Sequence, residues 1–256
     1  MAENKGKSML TVKSLTKSFG GLRATDNLSL QVANGELHAI IGPNGAGKTT
    51  LIHQLAGEYQ SDSGEIIFDG KNITRTKPHA RALAGLGRSY QISSVFSELT
   101  VLENVLLSLL AHEGHSFRFW RPILAQDKHR LRAIRALETV GLVGFENREV
   151  DVLAHGERRQ LEMAMAIVNK PKLLLLDEPM AGMSHHESEK VIRLLGSLKG
   201  QYAILLVEHD MDAVFTLADR ITVLVYGRPI ATGTPDEIRN NPQVLEAYLG
   251  APEEDN

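Results

Sequence analysis

Gly42-Pro43-Asn44-Gly45-Ala46-Gly47-Lys48-Thr49-Thr50 is the stretch whose reading decides the fold. A short apolar run, Leu37-His38-Ala39-Ile40-Ile41, precedes it, and Leu51-Ile52-His53-Gln54-Leu55 follows with helical spacing. Strand, glycine-rich turn and helix are the context in which the pattern G-x-x-x-x-G-K-[ST] carries a mechanism. Gly45 and Gly47 let the backbone wrap closely, so that several N–H groups converge on phosphate oxygens. The helix starting near Gly47 adds the positive end of its dipole. Lys48 is placed to reach the β- and γ-phosphates of a nucleoside triphosphate, and the Thr49 hydroxyl to hold Mg²⁺.

Composition sets bounds on the rest. The chain has 256 residues, enough for one large α/β domain or two small ones. Its 43% hydrophobic and 23% charged residues are those of an ordinary water-soluble globular chain. A net charge of −3 offers no electrostatic case for a dedicated nucleic-acid binder. The absence of cysteine rules out disulfides and thiolate metal sites. The first residues, Met1 to Lys7, lack the apolar stretch of a signal peptide. The most apolar helical candidate, Val101 to Ala111, is too short for a bilayer, so membrane association is expected through a partner.

Working outward from the loop, residues 9–33 alternate unevenly and read as short antiparallel strands, with Leu28, Leu30 and Val32 on one face. Phe19 lies in this segment, either as an aromatic face for a purine or as a core side chain. Glu65-Ile66-Ile67-Phe68 reads as a strand closed by Asp69-Gly70, and Arg88-Ser89-Tyr90-Gln91 ends a short extended piece. From about Leu99 to Asn169 strand signals give way to helical ones. Leu102, Val105, Leu106 and Leu109 share one face, and Leu131, Ile134 and Leu137 suggest a second helix whose Arg130, Arg132 and Arg135 form a solvated side. The run Lys172–Asp177, between Pro171 and Pro179, suits a strand buried on both faces of a parallel sheet. A helix around Glu187–Leu198, a strand Tyr202–Val207, a helix around Met211–Ala218 and a strand Ile221–Val225 follow. Such alternation implies βαβ units and a mostly parallel sheet.

Ligands of such sheets sit beyond the carboxyl ends of the strands, where Asp177, Glu178 and His209 emerge. Asp177 suits Mg²⁺ held through water, Glu178 a general base, and His209 a hydrogen bond to a γ-phosphate or a satisfied place in a turn. His112, His115, His185 and His186 show no metal-ligand spacing and read as surface residues.

Taken together, residues 9–250 resemble the nucleotide-binding subunit of an ATP-binding cassette (ABC) transporter, and within that family the ATPase subunits of branched-chain amino acid importers. Gly42–Thr49 matches the family's Walker A loop and Leu173–Glu178 its Walker B strand. Leu153-Ala154-His155-Gly156-Glu157 matches the signature usually written LSGGQ. Gln91 matches the glutamine of the loop between core and helical subdomain, Met180–Ser184 the D-loop, His209 the switch histidine and Phe19 the adenine-stacking aromatic. Departures are Ala154 for serine, His155 for glycine and Ser184 for aspartate. The narrower likeness rests on Val207–Met211 and the ending Ala247-Tyr248-Leu249-Gly250.

The resemblance implies a P-loop NTPase (RecA-like) core with a mostly parallel sheet, an N-terminal antiparallel β subdomain and an inserted helical subdomain. One ABC domain then spans 1–256. Residues 9–95 and 170–234 form the β subdomain and core, 96–169 the helical subdomain with the signature, and 235–256 a C-terminal helix and tail. It also implies a head-to-tail dimer in which ATP lies between the loop of one chain, Gly42 to Thr50, and the signature of the other. Glu178, His209 and Gln91 serve catalysis, and Thr49, Gln91 and Asp177 serve Mg²⁺. The implied partners are permease subunits, a second ATP-binding subunit, identical or paralogous, and indirectly a solute-binding receptor, with no nucleic acid. The implied place is the cytoplasmic face of the cell membrane, peripherally bound. A transporter ATPase for urea, other amino acids or a lipid is the alternative within the family. A DNA-repair or chromosome ATPase would need long coiled coils, and no sustained heptad run occurs. A small-substrate kinase or GTPase would leave the signature and Gln91 without a role.

Overall fold

In the computed structural model, residues 8–88, 95–113 and 127–249 are described. The fold is built on how three short strands are buried. β3 (Leu37–Ile41), β7 (Leu173–Asp177) and β8 (Ala203–Val207) are buried at every position. Side chains alternate across a strand, so each strand feeds two cores. Leu173, Leu175, Ala203, Leu205 and Val207 join Ile40 in one cluster, while Leu174, Leu176, Ile204 and Leu206 join Leu37, Ala39 and Ile41 in the other. These strands run parallel in a six-stranded sheet of order β10-β9-β3-β8-β7-β6, in which β6 is Leu86–Arg88, β9 Arg220–Val225 and β10 Arg228–Gly233.

The first cluster is closed by a four-stranded antiparallel sheet of order β2-β1-β4-β5 and by α1 (Lys48–Ala56). β1 (Ser8–Phe19) and β2 (Leu22–Ala33) are full 12-residue strands around a Gly20-Gly21 turn, not the short ones expected. The unevenness of their alternation comes from register shifts between Val12 and Leu15 and again up to Ser18, with Ser14 left-handed (φ 48°). β4 (Ser63–Phe68) and the two-residue β5 (Lys71–Asn72) complete the sheet.

The second cluster is covered by helices. α3 (Val101–Glu113), α4 (Asp127–Thr139) and α5 (His155–Ile167) pack on one another, and α6 (His185–Leu198) and α7 (Met211–Leu217) lie against the parallel strands. On α4 the buried side chains are Ala133, Ala136 and Leu137, whereas Leu131 is 50% exposed. Of the expected apolar residues, Leu137 is buried and Ile134 packs against the core, and only Leu131 lies outside it. Close helix packing selects the small alanines, which a search for large apolar residues passes over. The basic side of α4 is solvated at Arg130 and Arg135, but Arg132 is half-buried and its Nη2 donates to the Val168 carbonyl (3.4 Å).

Two elements had no strong sequence signal. α2 (Pro78–Leu83) starts on a proline at its first position. β10 (Arg228–Gly233) contains Pro229, which argues against a central strand, and it is an edge strand paired antiparallel to β9. The chain then closes through α8 (Pro235–Arg239) and a short helical turn from Pro242. The ending at Gly250, and the tail after it, lie outside the described residues.

Arg81 on α2 is almost fully buried and faces backbone rather than carboxylates. Its Nη1 donates to the carbonyls of Gln54 (2.8 Å) and Leu55 (2.6 Å), its Nη2 to Thr74 (3.1 Å) and its Nε to Thr76 (2.9 Å). It thereby caps the C-terminus of α1, where carbonyls lack helical partners. Burial pulls its pKa down to about 10. Arg81→Met should destabilise the chain by about 2–4 kcal/mol, by loss of charged hydrogen bonds to carbonyls left dry. Arg81→Lys should recover only part, because an ammonium lacks the guanidinium fork. Urea unfolding at neutral pH tests this, and an unchanged midpoint for Arg81→Met would refute the capping role.

Candidate functional site

The loop between β3 and α1 is held from both sides. A Cβ on Gly42 (φ 153°) would lie 2.1 Å from the Leu224 carbonyl, and one on Gly47 (φ 97°) would lie 2.1 Å from that of Ala24. Only glycine allows these approaches. The Gly227 N–H donates to Ala46 O (2.9 Å), which ties the β9–β10 turn to the loop. Gly47, the N-cap of α1, has no capping side chain, and the first turn carries no acidic residue. The helix start therefore keeps its N–H groups for an external anion. Lys48 is buried with its Nζ donating to the carbonyls of Gly42 (2.6 Å) and Pro43 (3.1 Å), while Thr49 is exposed. Pro43, Asn44 and Gly45 form the exposed crest and Ala46 is buried beneath it.

β7 and β8 pair in parallel with Asp177 opposite Val207, so Glu178 and His209 both follow the carboxyl ends of adjacent strands. Asp177 is 1% exposed, and among the described residues neither carboxylate oxygen has a hydrogen-bond partner. Desolvation, and secondarily the charge of Glu178, push its carboxyl above the usual aspartate range, against the pull of Arg88, His53 and Lys48. Lys48 is pushed down by desolvation and supported by Glu178 and Asp177. These three groups thus act on one another electrically. A buried carboxylate without donors is the donor set that a hydrated divalent cation satisfies. Glu178 is half-buried and left-handed (φ 48°), with its N–H bound to Val207 O (2.9 Å). The His209 side chain is 61% exposed.

Phe19 is 43% exposed, so it is not the core side chain that composition equally allowed. Its ring meets Tyr59 edge-on (5.3 Å between centroids), and Tyr59 stacks on His53 of α1 (4.8 Å). Lys17 Nζ lies 5.4 Å from the Phe19 ring centre. Gln91 lies outside the described residues. Its neighbour Arg88, which sequence did not single out, pairs with Glu58, itself bound to His53, and its charge reaches Asp177. His185 and His186 are exposed surface residues as read, and among the described residues no cluster could hold a metal through histidine and carboxylate together.

Ala154 is the N-cap of α5 and Leu153 is buried before it. Alanine offers no oxygen to the first turn, but Glu157 Oε2 accepts from the Ala154 N–H (2.9 Å). A second carboxylate arrives from α6: a Cβ on Gly156 would lie 2.8 Å from Glu187 Oε1, and the Gly156 N–H helps hold the Glu187 pKa low, behind the larger effect of Ser184. Ser184, in the D-loop position, is the N-cap of α6. Its N–H (3.0 Å) and hydroxyl (2.7 Å) donate to Glu187 Oε2. His155 Nε2 lies 3.4 Å from Ala181 O. The sequence pattern Ser184-x-x-Glu187 could have revealed this cap. Nothing in it could have revealed that the same glutamate faces Gly156.

Comparison with known proteins follows this geometry. A family model described as "ABC transporter" matches residues 25–181, and one described as "Branched-chain amino acid ATP-binding cassette transporter" matches residues 228–254. The chain is 39% identical over 249 residues to the high-affinity branched-chain amino acid transport ATP-binding protein BraF of Pseudomonas aeruginosa (94% of this chain, 98% of BraF). It is 38% identical over 251 residues to the corresponding LivG of Escherichia coli (strain K12), with the same coverage. Among solved structures, the ADP conformation of an ATP-binding cassette of an ABC transporter superposes with a TM-score of 0.85 at 29% identity (95% of this chain, 99% of that one). A dimeric bacterial ABC transporter cassette superposes at 0.77 and 25% identity (89% and 99%).

The clamp on Gly47 yields a two-sided expectation. Gly47→Ala should destabilise the chain by more than about 2 kcal/mol and abolish nucleotide binding, since β2 or the loop must move. Gly196→Ala on α6, where the nearest atom to a new Cβ is 3.9 Å away, should be neutral or stabilise by about 0.5–1 kcal/mol. Thermal melts with and without ATP compare them, and equal behaviour of the two variants would refute the clamp.

Proposed function

We propose, from the premise that this chain belongs to the ABC transporter family, that it is the ATP-binding and ATP-hydrolysing subunit that powers uptake of branched-chain amino acids. The observation that carries this reading is the junction of the glycine-rich loop, with Lys48 inside it, and the strand ends bearing Asp177, Glu178 and His209. Relatives named for branched-chain amino acid transport along nearly the whole chain, and the model matching residues 228–254, support the solute class.

In this reading the N–H groups of residues 42–50 and the start of α1 cradle the phosphates, Lys48 turns from its loop carbonyls to the β- and γ-oxygens, and Phe19 packs on the adenine. Thr49 and Asp177, with Gln91, would hold Mg²⁺, for which the Asp177 carboxylate, without a donor among the described residues, is suited; bound there, the ion would supply positive charge beside the phosphates. Glu178 accepts a proton from the attacking water as its oxygen bonds to the γ-phosphorus, and the bond to the bridging oxygen breaks to leave ADP and phosphate. His209 donates to the γ-phosphate.

A second ATP-binding subunit supplies Leu153 to Glu157 and the start of α5 across the nucleotide. The dimeric cassette among the structural neighbours supports this arrangement. One domain then includes the core of residues 9–95 and 170–234, the helical part 96–169 and the end 235–256. Permease subunits receive the motion and, with a receptor protein, choose the solute. Among the described residues no helix is long and apolar enough to cross a membrane. Relatives named as transport ATP-binding proteins support a place on the cytoplasmic face, held through those permeases. Loss of the γ-phosphate is the event that biases such a two-state machine.

Glu178→Gln should retain ATP affinity and lower turnover by about 10²–10⁴-fold. Hydrolysis assays beside titration with a fluorescent ATP analogue check it, and turnover within twofold of wild type would remove Glu178 from the reaction. Reconstituted with its permeases and receptor in vesicles, the complex should hydrolyse ATP faster with leucine, isoleucine or valine. Stimulation by urea, other amino acids or lipid instead would reassign the solute.

A further inference from the structure

Glu208 follows β8 immediately before His209 and is fully buried. A buried carboxylate is costly unless donors surround it. Here the donors come from two separate segments. Oε1 accepts from the Met180 N–H (2.9 Å), two residues after Glu178, and Oε2 accepts from the His209 N–H (3.1 Å). His209 Nδ1 lies 3.8 Å from Oε2. Both segments have other fixed ends. Glu178 N–H is bound to Val207 O, and Asp210 is the N-cap of α7, accepting from the Ala213 N–H (3.1 Å). Between those ends, the Glu208 carboxylate joins the turn after β7 to the turn after β8.

We propose that Glu208 is a positioning residue for hydrolysis: one carboxylate ties the backbone that carries Glu178 to the backbone that carries His209, so that both groups meet the γ-phosphate in a single geometry. This rests on the roles assigned to Glu178 and His209 above. An aliphatic side chain of the same size would fill the space but leave two N–H groups without their acceptor, whereas a carboxylate satisfies one from each oxygen. Burial pushes the Glu208 carboxyl up and the N–H groups of Met180, His209 and Asp210 pull it back, the balance expected of a group held by backbone donors.

Glu208→Gln keeps the volume, but its amide nitrogen cannot accept, so one of the two turns loses its tie. In the full chain this should lower kcat by about 10–100-fold, the cost of roughly an ångström of misplacement, with ATP-analogue affinity unchanged within about threefold. A purely structural role would lower kcat by the same factor in every background. A positioning role is lost once its target is gone, so Glu208→Gln added to Glu178→Gln should cost less than about threefold more. Wild-type kcat for Glu208→Gln, affinity lost in step with kcat, or a full multiplicative loss in the Glu178→Gln background each overturns the proposal. If Glu178→Gln and His209→Ala themselves keep wild-type turnover, the site assignment fails and the positioning role with it. If they lose turnover while Glu208→Gln does not, only the positioning role fails. Residue-resolved amide exchange on the unaltered chain removes dependence on variant folding: the Met180 and His209 amides should be as protected as those of β7 and β8, and exchange at open-loop rates would overturn the tie.

Discussion

A strand packed on both faces cannot slip by one residue, because the slip would exchange the side chains of two cores at once. β7 is such a strand, and β3 and β8 beside it are buried in the same way. Their fixed register decides where each strand ends, and the chemistry is placed by those endings. Asp177 faces Val207 across the ladder, so the residues that follow leave the sheet at one level, as does the phosphate loop after β3. The wall of helices on one side and the antiparallel sheet on the other exist to complete the two cores.

This placement carries an electrostatic cost that describes the site. Lys48 and Asp177 are both desolvated: burial pushes the lysine down against the pull of Glu178 and Asp177, and burial with the charge of Glu178 pushes the aspartate up against Arg88, His53 and Lys48. Lys48 Nζ donates to loop carbonyls, while among the described residues the Asp177 carboxylate meets no hydrogen-bond donor. Phosphate oxygens and a hydrated cation would satisfy both, so binding energy is available where the fold leaves charge uncompensated.

The first turn of α5 shows how a fold accommodates a missing side chain. With Ala154 as N-cap, the hydroxyl that would close the turn is absent, and Glu157 and Glu187 supply carboxylates from two directions. Glu187 serves two helix starts at once, capping α6 through Ser184 and facing Gly156 of α5. Replacement of the family's usual aspartate by Ser184 therefore keeps a local function, the cap of α6, whatever it does between subunits.

The local pattern by itself determined the phosphate loop, the strand–helix alternation after Pro171, and the candidates Lys48, Asp177, Glu178 and His209. Each of these is written over a few consecutive residues, and hydrophobic period and turn chemistry act at that range. The resemblance added the signature, and tertiary structure decided between the two readings of Phe19 by leaving its ring exposed against Tyr59. What only the tertiary structure decided involves partners far apart in the chain: Arg81 on the end of α1, Arg88 toward Asp177, Glu187 against Gly156 and Glu208 on Met180. The buried face of α4 and the edge strand β10 belong with them, since alanines and a proline gain their meaning from what they pack or pair with. Periodicity reports which side of an element is apolar. It carries no information on which distant backbone N–H a buried carboxylate will meet, because that contact is fixed only when two strands lie in register and their ends come together.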